Sequence, residues 1–267
     1  MGRDGSQPND RGVGGPTITS RSAGTLYVVS VPIGHPDDIT LRALATLRRV
    51  TIIAAENPRS TQALLAHHGI TATVTSYGPL HLDEKIQLLL HRLTQGQNVA
   101  LVADNGTPGI YDPGSQFVAA AHQAGIPVKT IPGPSTMTAA AAISGFSGDA
   151  IIFEGHLPST NHRLAQHLSG LRKDRRTLVF YVDPWSLRRL LKILVKTLPT
   201  RQIAIAMDLT MCRETLSRGR PDELLDRMES VSKDSAVTVI IEGYGKGSHT
   251  ESMSRKKPRA TRLRGGE

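Results

Sequence analysis

Apolar residues fall in short clusters along this chain, separated by stretches with helical spacing. The run at 99–103 is apolar without alternation, the pattern of a strand covered on both faces, and 26–31, 51–55 and 128–131 are further candidate strands. Between them, apolar positions recur with a helical period at 40–49, 60–68, 84–94, 115–124 and 135–143. Gly69 and Gly125 stand just past two of these helices, where a left-handed stop is favoured. Strand and helix in alternation predict a parallel sheet with helices packed on its faces.

The alternation breaks at the Ser/Gly stretch 145–148 and then resumes. Strands are expected at 150–154, 177–182, 202–208 and 237–242, with a short one at 215–218. Helices are expected at 161–171, 185–197 and 221–229. Pro221 suits a first helical turn, where its missing N–H costs nothing. The predicted class is α/β, with two α/β domains at 24–147 and 148–245 and a ligand cleft between them. Residues 1–23, rich in Gly, Asp, Asn, Ser and Pro, and the basic segment 246–267 read as disordered tails.

Composition narrows the classes. With 267 residues the chain can bury a sizeable core, but aromatics make up only 4%, so Leu, Ile, Val and Ala must build it. The same scarcity argues against aromatic platforms for single-stranded nucleic acid. Cys212 is the only cysteine, which excludes an intrachain disulfide and a Cys-based zinc site. No apolar run is long enough to span a bilayer, and the first residues lack a secretory apolar core. A cytoplasmic protein with no membrane contact is expected. Of the formal charge of +9, the segment 246–267 carries more than half, through Lys246, Arg255, Lys256, Lys257, Arg259, Arg262 and Arg264. This arm suits either loose phosphate attraction or simple solubility.

Candidate chemistry gathers in four Gly/Pro-rich turns that follow strands: Pro32–Asp38, Glu56–Thr61, Asp104–Gly114 and Pro132–Thr136. In a parallel sheet all four open on one edge, where such sheets bind ligands. The Asp104 turn, with Asn105, Gly106, Thr107 and Pro108, is the richest, although a tight strand-to-helix connection would read the same way. No GxGxxG follows the first strand and no GxxxxGK[ST] occurs, so dinucleotide and P-loop sites are disfavoured. The turns hold few cations, which fits a zwitterionic or adenosine-type ligand better than a polyphosphate. His67 and His68 adjoin and are expected to point apart, and His35, His81 and His156 lie on predicted loops without ligand spacing, so no metal is expected. Ser135 sits in Gly-Pro-Ser-Thr, not in a nucleophile elbow. Arg172, Lys173, Arg175 and Arg176 form either a solvated turn or an RNA-phosphate contact.

Six segments then occur in one order: Val31-Pro-Ile-Gly-His-Pro-Asp-Asp-Ile-Thr-Leu-Arg-Ala-Leu44, Ala54-Ala-Glu-Asn-Pro-Arg59, Asp104-Asn-Gly-Thr-Pro-Gly-Ile-Tyr-Asp-Pro-Gly114, Ile131-Pro-Gly-Pro-Ser135, Phe153-Glu-Gly-His-Leu-Pro158 and Leu178-Val-Phe-Tyr181. Together they resemble the bacterial small-subunit ribosomal RNA (cytidine-2′-O)-methyltransferase family, within the tetrapyrrole methylase superfamily. The resemblance runs from about Gly24 to Tyr244. It implies two α/β domains, S-adenosyl-L-methionine in the cleft, a homodimer, and methyl transfer to a cytidine ribose of 16S rRNA in the small ribosomal subunit. Carried over by position, it implies that Pro32, Asp104, Asn105, Gly106, Thr107, Pro108, Ser135, Thr136, Phe153, Leu157, Met207 and Leu209 surround the cofactor. Glu56 is the candidate base, or else a structural carboxylate pairing Arg59, and Arg59 could hold an RNA phosphate. The family's Glu-Asp-Thr-Arg is here Glu56-Asn-Pro-Arg59, its Asp-Ala-Gly is Asp104-Asn-Gly106, and its Ala-Arg-Glu-Leu-Thr-Lys is Ala206-Met-Asp-Leu-Thr-Met211. A His/Glu/Asn-rich stretch after the family's Ser-Tyr is replaced by Gly78–Asp83. These departures leave room for two alternatives: a precorrin- or uroporphyrinogen-type C-methyltransferase, and a non-catalytic RNA-binding relative.

Overall fold

The computed structural model describes residues 22–228 and 231–245. The basic C-terminal arm and residues 1–21 of the N-terminal tail lie outside the described residues. The first half holds strands β1 (Leu26–Val29), β2 (Ile52–Ala55), β3 (Thr73–Ser76), β4 (Val99–Val102) and β5 (Val128–Ile131). They pair in the order β3-β2-β4-β1-β5, all parallel. Helices α1 (Leu41–Arg49), α2 (Pro58–His67), α3 (Leu82–Thr94) and α4 (Gly114–Gln123) connect them.

The unbroken apolar run of β4 has a direct cause. Ala100 and Val102 of β4 join Val29, Ile53, Ala43 and Leu65 in one cluster, while Val99 and Leu101 join Leu26, Leu89, Leu93 and Phe117 in another. Successive side chains point to opposite faces, and helices cover both, so no position on β4 faces water.

The second half holds β6 (Ile151–His156), β7 (Thr177–Val182), β8 (Ile203–Met207), β9 (Thr215–Gly219) and β10 (Val237–Ile241), in the order β6-β7-β10-β8-β9. Only β6 and β7 are parallel; the remaining pairs are antiparallel. Helices α6 (Asn161–Gly170), α7 (Pro184–Thr197) and α8 (Pro221–Arg227) cover one face through Leu164, Leu187, Leu191 and Leu224. The other face receives α5 (Thr136–Ser144), which follows β5 of the first sheet but packs Ala140 against Val179, Ala204 and Ile240 of the second. Ile33 and Leu209 join that cluster, so the two halves share a core.

Several elements depart from the pattern. β3 is missing from the expected set: four residues reading Thr-Val-Thr-Ser at the sheet edge carry little apolar signal. The first strand stops at Val29, and Val31 instead makes a single bridge to Gly106. α3 starts at Leu82 because His81 turns the chain with φ 55. α2 starts at Pro58, with the Asn57 side chain accepting the Arg59 N–H at 3.1 Å. Asn57 and Pro58 are thus a cap and a first-turn proline, and this departure keeps the helix start intact.

The expectation that His67 and His68 point apart is corrected. A 3-10 turn at Pro36–Asp38 lies against the end of α2, with His67 Nε2 2.9 Å from Asp37 Oδ1 and His68 Nε2 3.0 Å from the Pro36 carbonyl. One ligand-type atom from each of Asp37, His67 and His68 falls within 4.8 Å of the others. Adjacent residues converge here because the first loop, not the helix face, supplies their common partner.

Candidate functional site

In the parallel sheet the turns after β1, β2, β4 and β5 open at one edge, the carboxyl ends of the strands. The turn after β4 is tied to its neighbours at several points. The Val31 N–H donates to the Gly106 carbonyl at 2.9 Å, and the Thr107 hydroxyl lies 2.9 Å from Ser30 Oγ and 3.3 Å from the Pro134 carbonyl. Gly106 has φ 72, a conformation glycine adopts freely. Further along, the Asp112 carboxylate accepts the N–H groups of Gly109 at 2.8 Å and Gly114 at 2.6 Å, closing the turn onto α4.

These turns form one wall of a cavity of about 340 Å³. The opposite wall comes from the second sheet: His156 at the end of β6, Tyr181 to Pro184 at the β7–α7 junction, and Ser235 to Thr238 at the start of β10. The loop after β8 holds this wall in place, since buried Asp208 accepts the Ala236 N–H at 2.9 Å and pairs with Arg213 at 2.8 Å.

Electrostatically the cavity is one-sided. Among the described residues its lining includes the carboxylates of Glu56, Asp104, Asp112 and Asp183, and no lysine or arginine. Burial pushes the Glu56 carboxyl above its ordinary pKa; the Asp104 N–H, donating at 3.3 Å, works against this, and the charges of Asp104 and Asp112 add to it. Burial also raises Asp112, against the pull of the Gly114 and Gly109 N–H groups. Beneath them, the buried Tyr77 hydroxyl has no hydrogen-bond partner among the described residues, and burial followed by the Asp112, Glu56 and Asp104 charges raises its pKa. Asp104 itself accepts the Ser60 hydroxyl at 2.7 Å.

The structure brings together some of the residues expected from sequence and separates others. Glu56, Asp104, Asn105, Gly106, Thr107, Ser135 and Thr136 line the main cavity. Pro32 lines a neighbouring hollow of about 330 Å³ that shares Asp104 and Asn105. Pro108 is buried and does not line the cavity. Phe153 packs edge-on against Tyr181 at 4.8 Å, and Leu157 lies in an adjacent hollow with Trp185 and Arg189. Met207 faces a separate space between β8, β9 and α8, and Leu209 is buried beside Ile33. Arg59 is exposed on the first turn of α2, and among the described residues no ion pair joins it to Glu56. Arg172, Lys173 and Arg175 are exposed, while Arg176 pairs with Asp174 at 2.7 Å.

Sequence reasoning names Asp112 only as part of the Asp104 turn, and passes over Tyr111, Tyr181, Asp183 and the segment Ser235–Thr238. Tyr111 and Asp112 lie in the turn already singled out, and the two ends of the turn could have pointed to them. The segment at the start of β10 contains no glycine or proline and offers no such signal.

A parallel sheet with an acidic crevice at its carboxyl edge, closed by a mixed sheet, defines the class. Residues 25–225 match the family described as Tetrapyrrole (Corrin/Porphyrin) Methylases. The chain is 37% identical over 220 residues to "Ribosomal RNA small subunit methyltransferase I" of Thermotoga maritima, covering 82% of this chain and 99% of that one. It is 42% identical over 197 residues to the protein of the same name from Synechocystis, covering 73% and 71%. Among solved structures, a uroporphyrin-III C-methyl transferase from Thermus thermophilus, complexed with S-adenyl homocysteine, aligns with a TM-score of 0.57 at 18% identity, covering 82% of this chain and 97% of that one. The chain belongs to the ribosomal RNA small subunit methyltransferase I family.

Proposed function

We propose that this protein methylates the ribose 2′-hydroxyl of a cytidine in 16S rRNA of the small ribosomal subunit, with S-adenosylmethionine held in the cavity between the two sheets. The observation that carries this reading is the charge of the cavity: four carboxylates line it and no cation does. Such a wall attracts a cation and disfavours polyphosphates. The names of the relatives support an rRNA substrate, and the bound S-adenyl homocysteine of the structural neighbour supports the donor.

S-adenosylmethionine supplies an electrophilic methyl group on a positively charged sulfur. The Asp104–Thr107 backbone and the first turn of α5 offer the polar groups that hold such a ligand, and the Asp104 carboxylate faces its charge. The turns after β1 and β5 brace the Asp104 turn, so its donors and acceptors are set before the ligand arrives. Glu56, held above its ordinary pKa on the same wall, is positioned to accept the hydroxyl proton. Arg59, exposed one turn away, faces solvent where an RNA phosphate can reach it. We also infer that the protein acts in the cytoplasm as a homodimer, which sedimentation would register as twice 28.8 kDa.

Labelled methyl transfer into small subunits from a strain lacking the corresponding enzyme tests the reading. Ribose methylation at one cytidine is expected. Label on a base, on another nucleotide type, or on no RNA would overturn it.

A further inference from the structure

Tyr111 and His156 meet across the mouth of the cavity. Their rings are parallel within 6°, with centroids 4.5 Å apart. Tyr111 comes from the turn after β4 and His156 from the end of β6, so the stack joins the two sheets. Three local features build it. Tyr111 has φ 67, a left-handed conformation that non-glycine residues rarely adopt. Gly155 has φ 59, and a Cβ there would stand 2.7 Å from Tyr111 Cδ2, so the ring lies on bare backbone. A register shift in β6 between Phe153 and His156 sets the direction of the imidazole.

The surroundings are also aromatic. Tyr181 meets Tyr111 edge-on at 6.1 Å, and Phe153 meets Tyr181 at 4.8 Å. Trp185, 72% exposed, lies two residues past Asp183 at the rim. A chain with only five tyrosines, four phenylalanines and one tryptophan places four of them here. Scarcity along the chain therefore conceals concentration at one point. Tyr111 stays 53% exposed even with the imidazole against it. The Asp183 carboxylate lies 3.6 Å from His156 Nε2, caps no N–H of α7, and lines the same cavity.

A flat, half-open aromatic surface beside a carboxylate matches one chemistry: a nucleobase carrying an exocyclic amine, stacked on the ring with the amine donating to the carboxylate. We propose that the Tyr111–His156 stack is the seat of the acceptor's base, and that Tyr111 determines specificity by receiving an amine-bearing base turned out of the RNA toward Asp183. This rests on the reading of the chain as an rRNA ribose methyltransferase. The seat places the base at the rim and its ribose inward, toward Glu56 and the donor.

The test compares wild type with Tyr111→Ala, Tyr111→Gly and Tyr111→Phe, using small subunits as substrate and calorimetry for the donor. Loss of the ring is expected to raise KM for the subunits roughly 5- to 150-fold, equivalent to about 1–3 kcal/mol per stacked base. The kcat and the Kd for S-adenosylmethionine are expected to stay within about twofold, because the lost contact binds ground state and transition state alike. Tyr111→Phe keeps the ring and is expected to keep the KM. The glycine variant suits the left-handed backbone, so a loss seen in both it and the alanine variant is not one of backbone strain, and an unchanged donor Kd shows that the fold of the site persists. An unchanged KM in an active Tyr111→Ala variant overturns the seat alone. A weakened donor Kd overturns it by assigning the stack to the donor's adenine. A wild-type chain that transfers no methyl to small subunits overturns the functional reading and the seat with it.

Discussion

Gly34 sits where the two halves of the molecule touch. It lies in the loop after β1 and faces the loop after β8. A Cβ built on it would stand 2.4 Å from the Leu209 carbonyl oxygen, 2.6 Å from Thr210 Oγ1 and 3.0 Å from Met211 Cγ. The first of these is backbone and cannot rotate away. The loop has little room to retreat, since Asp208 ties it to Ser235 and Ala236, and Thr210 Oγ1 already accepts the His35 N–H at 2.8 Å. Ordinary contact needs roughly 3.5 Å, so Gly34→Ala must part the seam by about 1 Å. Overpacking of this kind costs about 1–3 kcal/mol. For a chain of this size that lowers the Tm by roughly 2–12 °C in scanning calorimetry. The larger effect is catalytic. Ile33 lines the cavity and the loop after β8 holds its Ser235–Ala236 wall through Asp208, and a 1 Å misplacement of facing walls costs on the order of 100-fold in rate. Initial-rate methyl transfer into small subunits is expected to show that loss in kcat/KM. A folded Gly34→Ala variant with kcat/KM within twofold of wild type would refute the idea that this seam sets the geometry of the site.

Other outcomes follow from the same walls. Asp104→Ala removes one of the four carboxylates that line the cavity and is expected to weaken S-adenosylmethionine roughly tenfold by calorimetry; unchanged affinity would count against its role. Glu56 has a raised pKa in the folded protein, so the rate is expected to climb as pH rises through that value, and Glu56→Gln to lose this limb along with most activity. The stabilisation linked to its bound proton is complete below the unfolded pKa and lost as pH rises through the folded one. Glu56→Gln is therefore expected to melt above wild type at neutral pH, with the gap closing in acid. Leu101→Ala empties a fully buried position on β4 and is expected to cost about 2–5 kcal/mol in urea unfolding; a smaller loss would mean that the cluster around Leu101 collapses to fill the space.

The parallel sheet was legible chiefly through its central strand β4, which is covered on both faces and leaves Val99–Val102 without a polar residue. The Asp104 turn was legible because glycine and proline mark a chain that must turn sharply at a strand end. β3 was not, since an edge strand four residues long needs few apolar side chains. The Ser235–Thr238 wall was not legible either: it is a short approach and the first residues of β10, which reach the cavity only because β10 lies between β7 and β8. Convergence of His67 and His68 depends on a 3-10 turn about thirty residues earlier, beyond any helical periodicity. Tyr111 and His156 come together through a left-handed residue and a strand irregularity, neither of which leaves a compositional trace.

The most direct measurement is diffraction from crystals soaked in S-adenosylmethionine. Density for the donor is expected between the Asp104–Thr107 turn and the Ser235–Thr238 strand start, with its sulfur facing the carboxylates. Density on any other surface, or a crevice that remains empty at saturating donor, would contradict the account.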